Sequence, residues 1–251
     1  FRNCVDSQGA AIVCNGSSPI ISQCHFENNQ ANGSGGAIYL NDSDPWIGEC
    51  VFFDNVADDE GGAVYGEDSS PYIVNSLFHS NFATNFGGGL AFDYNGSPYL
   101  RNVTLYANST DNTAGGISAK LDVDLTIQNS ILYYDDPGEI YEYGGTATVE
   151  YSNIYEGWPG TGNIDENPDF VSGPHGNFYL DQSTSPCINT GAQNASVVWY
   201  YLEPGQTVSL DELTTSTNNS LDTGVVDMGF HYQDTPPNTP SPTPSPSFTP
   251  T

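Results

Sequence analysis

The chain has 251 residues, with three Lys and Arg against thirty-one Asp and Glu and a formal net charge of −28. Nucleic acid is excluded as a partner, because binding it needs a basic face that displaces counterions, and an anionic membrane surface is disfavoured for the same reason. No stretch nears the ~20 apolar residues of a membrane span, and no basic segment with an apolar core opens the sequence, which begins at Phe1 as a mature or trimmed product would.

In chain order, the first element is a frayed copy of a repeat, NCVDSQGAAIVC from Asn3, in which Phe1 aligns with Glu27 and the chain enters mid-coil. Fuller copies follow: NQANGSGGAIYL from Asn29, NVADDEGGAVYG from Asn55, NFATNFGGGLAF from Asn81 and NSTDNTAGGISA from Asn108. A fixed step of twenty-six or twenty-seven residues marks a solenoid. Each repeat is too short for a βαβ unit and consists of short alternating apolar segments broken by Gly, Asn, Asp, Ser and Pro, which reads as strand, turn, strand, turn. Three apolar columns recur: Ile21, Ile47, Ile73, Leu100 and Ile127; Phe26, Phe52, Phe78, Leu105, Leu132 and Ile154; Ile12, Ile38, Val64, Leu90 and Ile117. Such columns arise when parallel strands stack in register about 4.8 Å apart. The expected fold is therefore all-β, a parallel β-helix of about 26 residues per coil.

Polar columns fit the same frame. Asn3, Asn29, Asn55, Asn81 and Asn108 fall at one turn, where side-chain amides can bond along the stack, and Asp135 continues the position. Gly35, Gly61 and Gly87, then Ala114, mark a sharp turn into a strand, and Pro19, Pro45, Pro71 and Pro98 each open one. Two degenerate coils, LTIQNSILYYDD and ATVEYSNIYEG, follow before the period is lost. Three regions result: coils over 1–166, a closing cap over 167–232, and a Pro/Ser/Thr-rich tail over 233–251, which reads as an extended linker or stalk.

The pattern P-x-I-x-x-C-x-F-x-x-N followed by GGAIY resembles the repeats of right-handed parallel β-helix proteins of the pectate-lyase-like superfamily. Within it the likeness is to bacterial secreted and surface proteins with polymorphic-membrane-protein-type repeats. The resemblance supplies the right hand of the helix. It also implies that NPDFVSGPHGNFYL, SPCINTGA and DTGVVDMGFHY close the stack, as similar pieces do in many secreted β-helix proteins.

Enzymes of that superfamily cut acidic polysaccharides with an Arg or Lys base near calcium, or with paired aspartates. Here the basic residues are Arg2, Arg101 and Lys120, and the neighbours Asp58–Asp59 and Asp135–Asp136 would point to opposite faces of a strand. The expectation is no enzyme. Asp58, Asp59 and Glu60 offer hard oxygen ligands for Ca²⁺ at one turn, against the alternative that they are solvated turn acids. His25 and His79 share an outward column with no metal-binding spacing around it. Cys24 and Cys50 lie in an inward column with Ser76, Val103, Ser130 and Ser152, as a ladder of small core residues or, alternatively, a disulfide; Cys14 is core, while Cys4 and Cys187 have no assigned place.

Asn-x-Ser/Thr sequons make Asn15, Asn32, Asn41, Asn95, Asn102 and Asn194 candidate glycosylation sites, and Asn15, Asn41 and Asn95 share the turn before the strand-opening Pro. Trp46, Tyr72 and Tyr99 form one column after those prolines, either a platform for sugar rings or plain cross-strand packing. The functional expectation is a secreted or cell-surface structural protein, a glycosylated β-helical subunit of a filament or coat whose copies join head to tail. The alternative is a carbohydrate-binding adhesin or a polysaccharide-active enzyme, with extracellular polysaccharide as partner.

Overall fold

The structure, a computed structural model, describes residues 1–233. The expected stalk over 234–251 lies outside the described residues. Each of the first five coils threads four parallel sheets, as the second does through Gln30–Ala31, Ile38–Asn41, Trp46–Gly48 and Val51–Phe53, and the sixth joins only the three longer ones. Repeating this path gives a five-stranded short sheet and three six-stranded ones, named here for their aromatics. The tyrosine sheet runs from Ile12–Asn15 to Ile140–Tyr143, the tryptophan sheet from Ile20–Ser22 to Thr146–Glu150, and the phenylalanine sheet from His25–Glu27 to Asn153–Ile154.

The three apolar columns stack as the sequence predicts. Ile21 pairs with Ile47, Phe26 with Phe52 and Ile12 with Ile38, and every column continues coil after coil into one core. The rings of Phe26, Phe52 and Phe78 lie 4.6 and 4.5 Å apart and nearly parallel. Gly35, Gly61 and Gly87 have φ of 70°, 65° and 62°, and a Cβ on Gly61 would stand 2.4 Å from the carbonyl oxygen of Val64, so backbone freedom and space both demand glycine.

One alignment shifts. Phe1 stacks on Phe26 at 4.9 Å rather than on Glu27, and Cys4, not Asn3, occupies the asparagine column, donating its N–H to Asn29 Oδ1. The register gives the reason: Val5 pairs with Gln30, twenty-five residues on, whereas Ile12 pairs with Ile38, twenty-six on, so the intervening turn of the first coil is one residue shorter. Cys4 thereby gains a place that its spacing in the sequence concealed.

The asparagine ladder is continuous from Asn29 to Asn108. In each step one backbone N–H and one side-chain amide donate to the next Oδ1, as Asn55 does to Asn81 at 3.0 and 2.9 Å, while the same amide also reaches a backbone carbonyl. Asn108 donates twice to Asp135 Oδ1, and there the ladder runs out of asparagines. Asp135 N–H then donates to Glu139 Oε1 at 3.2 Å. Glu139 stands just before Ile140, in the register position of Ala37, Ala63, Gly89 and Gly116, where its carboxyl is buried beside Asp135. Burial, then the Asp135 charge, push Glu139 far above the ordinary carboxylate range, so the pair holds a proton at neutral pH. A raised acid pKa costs stability as pH climbs above the unfolded value near 4.5, because the unfolded chain releases a proton that the folded chain retains. Glu139→Gln keeps an acceptor for Asp135 N–H and supplies a permanent donor. Its thermal midpoint at pH 8 is expected to rise by a few degrees, at about 2–4 °C per kcal/mol for this chain length, with a flatter pH–stability curve above pH 5; unchanged calorimetric profiles at pH 5 and 8 would count against the shared proton.

The end of the stack is covered by residues 158–164, not by 167–232. Trp158 packs against the main core, Ile164 pairs with Asn153, and Asn163 Oδ1 accepts from Ser152 N–H at 3.0 Å, giving a last partial coil. Residues 167–232 instead form a strap along the flank, lying over the turn between the tryptophan and phenylalanine sheets. That turn carries left-handed residues in successive coils: Gln23, Glu49, Asn75, Asn102 and Asn129. Ala192 N–H donates to Asn129 Oδ1, Asn102 Nδ2 donates to the Asp227 carbonyl, and His231 N–H donates to Asn75 Oδ1 at 2.7 Å. Inside the strap, buried His231 meets Asp222 Oδ2 through Nε2 at 2.8 Å, which ties the Asp227-Met228-Gly229 turn to the segment before it. Physically, the flank is chosen because two-sided amides at a periodic turn can pair with a passing backbone, whereas the stack end already has its cover.

Candidate functional site

Two hairpins of the strap shape the surface beside it. The hairpin of Trp199–Glu203 and Gln206–Ser209 lies against the tryptophan sheet, where Ser22 Oγ donates to the Leu202 carbonyl. The hairpin of Phe170–Gly173 and Gly176–Leu180 lies against the phenylalanine sheet.

On the first side, Trp46, Tyr72 and Tyr99 stack along the axis at 4.1 and 4.9 Å with nearly parallel rings. They are half-buried rather than exposed, since stacking turns their faces on one another and the strap adds Tyr201, edge-on to Trp46 at 4.8 Å. Trp199 lies parallel to Trp46 at 6.4 Å and is 45% exposed, so it carries the column outward as an aromatic ledge. Sequence reasoning missed Trp199, because it belongs to no repeat. Arg101 and Gln128 follow one another in the adjoining outward column, and Gln128 Oε1 accepts from the Tyr99 hydroxyl at 3.2 Å.

On the second side a cleft of about 420 Å³ opens between the phenylalanine sheet and the other hairpin. Val51, Leu77, Phe178, Phe230 and Tyr232 make its apolar wall, and His25, His79 and His175, three of the four histidines, line it with Gln23 and Glu49. His79 pairs in register with Phe53 and stacks on it at 4.4 Å; His25 lies level with Val51, so the two histidines do not share the expected column. Burial holds His79 neutral, down to about 4, and pushes Glu49 up. Cys24 borders the cleft with Cys50 behind it, both as free thiols, and the hydrogen bond from Cys50 lowers Cys24 to about 7. The column is thus a ladder, in which Cys50 N–H donates to Ser76 Oγ and Val103 N–H to Ser130 Oγ, and not a disulfide.

The three carboxylates expected at a calcium turn do not converge. Asp58 and Asp59 are exposed, and Asp59 Oδ1 accepts from Asn85 Nδ2 at 2.7 Å. Glu60 turns over the tyrosine sheet and meets Lys120 Nζ at 2.7 Å, where Asp93 joins at 3.3 Å and Phe86 lies beneath the ammonium at 4.1 Å. Alternation along the turn is the cause, since it sends successive side chains to opposite sides. All three ionic groups are largely buried, and burial followed by the Lys120 hydrogen bond leaves Glu60 at about 7.

Of the sequons, Asn102 must be removed. It is buried and its amide is engaged with the Asp227 carbonyl, so no glycan can attach there in the folded chain. Asn15, Asn32, Asn95 and Asn194 are exposed and Asn41 is half-buried. Asn15 and Asn41 are in register at the end of a strand, while Asn95 stands two residues past Asp93 of that column, in the turn that lengthens the step from twenty-six to twenty-seven residues.

A family model described as right handed beta helix region matches residues 10–167. No curated protein and no solved structure matches the chain.

Proposed function

Because the chain belongs to the right-handed β-helix family, whose fold serves enzymes and binding proteins alike, we propose that it is an extracellular structural protein that holds polysaccharide on the Trp199–Trp46–Tyr201 ledge. The observation that carries this reading is Trp199, an indole 45% exposed and parallel to a second indole at the head of an aromatic column. Flat apolar faces with a polar edge suit the C–H faces and hydroxyl rims of sugar rings, and neutral glycans meet no penalty from a net charge of −28. The resemblance of the repeats to those of pectate-lyase-like proteins and of surface proteins with polymorphic-membrane-protein-type repeats supports a secreted or surface location. Binding without cleavage is favoured because Lys120, a potential base, is held by Glu60 and Asp93.

Covalent glycans at Asn15, Asn32, Asn41, Asn95 or Asn194 belong to the same reading, and the intact mass of the natural product is expected to exceed that of the bare polypeptide. Calcium does not enter it. In affinity electrophoresis through gels containing xylan, β-glucan or galactan, at least one is expected to retard the chain. Trp199→Ala is expected to weaken that retardation about tenfold, the scale of a central aromatic contact. Equal mobility of both proteins in every gel would overturn the proposal.

A further inference from the structure

We infer that the cleft between the phenylalanine sheet and the strap is a binding site for a small aromatic acid. The inference is independent of the ledge, which lies on the other side of the strap. Its volume, about 420 Å³, falls in the range of small-molecule sites, which are concave, mainly apolar and supplied with a few convergent polar groups. The cleft is also built rather than incidental: Phe178 N–H donates to the Tyr232 hydroxyl at 3.1 Å, and Tyr232 stacks on Tyr179 at 4.0 Å. Gly176 is required for that approach, for a Cβ there would stand 2.4 Å from the same hydroxyl.

Ligand chemistry follows from the lining. Val51, Leu77, Phe178 and Phe230 offer flat apolar contact, and His79, tilted against Phe178 at 5.1 Å, extends it with an imidazole. At the mouth stand exposed His25 and His175 with the amides of Gln23, Asn177 and Gln233. In a chain with thirty-one acids, this lining includes one, Glu49, whose Oε2 accepts from Gln23 Nε2 at 3.0 Å and whose burial favours the neutral form. Glu27 lies beyond the lining, 3.7 Å from His25 Nδ1. An anionic head is therefore tolerated at this mouth, with imidazoles and amides to receive it, while the ring occupies the apolar wall.

The test uses the full chain and 4-hydroxycinnamate as probe, with its neutral methyl ester as control. Calorimetric titration is expected to give one saturable site for the acid and binding at least threefold weaker for the ester. His175→Ala, at an exposed position, is expected to narrow that difference, and Val51→Trp, which fills the cleft, to remove binding. Cys24 provides a second readout on the unaltered chain: saturating acid is expected to slow its alkylation by iodoacetamide at least fivefold, read by peptide mass. Absence of a saturable site, a site unaffected by Val51→Trp in a protein of unchanged melting point, or unprotected Cys24 would overturn the site. An ester bound as tightly as the acid would overturn the ligand class.

Discussion

Asn81→Ala is expected to remove several kcal/mol of stability and to drop the thermal midpoint by ten degrees or more. Asn81 Oδ1 accepts from Asn55 N–H and Nδ2, and its own Nδ2 donates to Asn108 Oδ1 at 2.8 Å and to the Phe52 carbonyl at 3.1 Å. All of these groups are buried. An unpartnered buried polar group costs about 1–3 kcal/mol, and the substitution strands the N–H and one amide hydrogen of Asn55 and takes a donor from the Phe52 carbonyl and from Asn108 Oδ1, which keeps the Asn81 N–H. Asn81→Asp separates hydrogen bonding from shape: its Oδ1 still accepts, but a second oxygen replaces the donor and faces two acceptors. That variant is expected to recover stability as pH falls and the acid is protonated, whereas the alanine variant is not. Parallel pH–stability curves for the two would contradict the ladder's role.

Lys120→Met is expected to cost about 3–5 kcal/mol near pH 8, the scale for removing one partner of a buried ion pair. It leaves Glu60 and Asp93 facing each other over the tyrosine sheet with no cation. The sign with pH follows from Glu60, whose burial already raises it to about 7 while Lys120 acts to lower it. Without the ammonium it rises further. Between pH 4.5 and about 7 the wild type and the variant both retain the Glu60 proton on folding, so the deficit relative to the wild type opens above about 7, where only the variant still holds that proton, and closes as pH falls below it. Adding Glu60→Gln should return part of the loss at pH 8, since the two positions share one interaction. Urea unfolding at pH 5 and pH 8 reads both effects; a deficit equal at the two pH values would mean that the charges do not matter here.

The fold was legible because a parallel stack repeats its chemistry at a fixed step. Every coil must place an apolar side chain of each column on its predecessor, so the columns are spelled out along the chain at that spacing. What escaped was whatever the repeat does not encode. The shortened first turn moved Phe1 and Cys4 by one place, since alignment of a frayed copy cannot locate a missing residue. Glu60, Asp93 and Lys120 meet across three coils from three different sequence contexts, and only the register brings them together. The strap was read as a cap, although a signal for its true place existed: Asn75, Asn102 and Asn129 recur at twenty-seven-residue steps, a second asparagine column outside the ladder. The same signal would have withdrawn the Asn102 sequon, because an asparagine in a periodic turn is there for its amide. Trp199 carried no periodic mark at all.

The strap changes how the stack comes apart. Coils that touch only their neighbours behave as a one-dimensional array, free to fray from an end one rung at a time. Here Leu202 is fastened to Ser22, His231 to Asn75, Asp227 to Asn102 and Ala192 to Asn129, contacts that join residues 63 to 180 positions apart and bridge most of the coils. Loss of the terminal rung then breaks the fastening of the next one too, so fraying is penalised and the array melts as a block. The same lacing sets an order on synthesis. The early coils leave the ribosome with their flank bare and stay reversible until the strap follows to lock them.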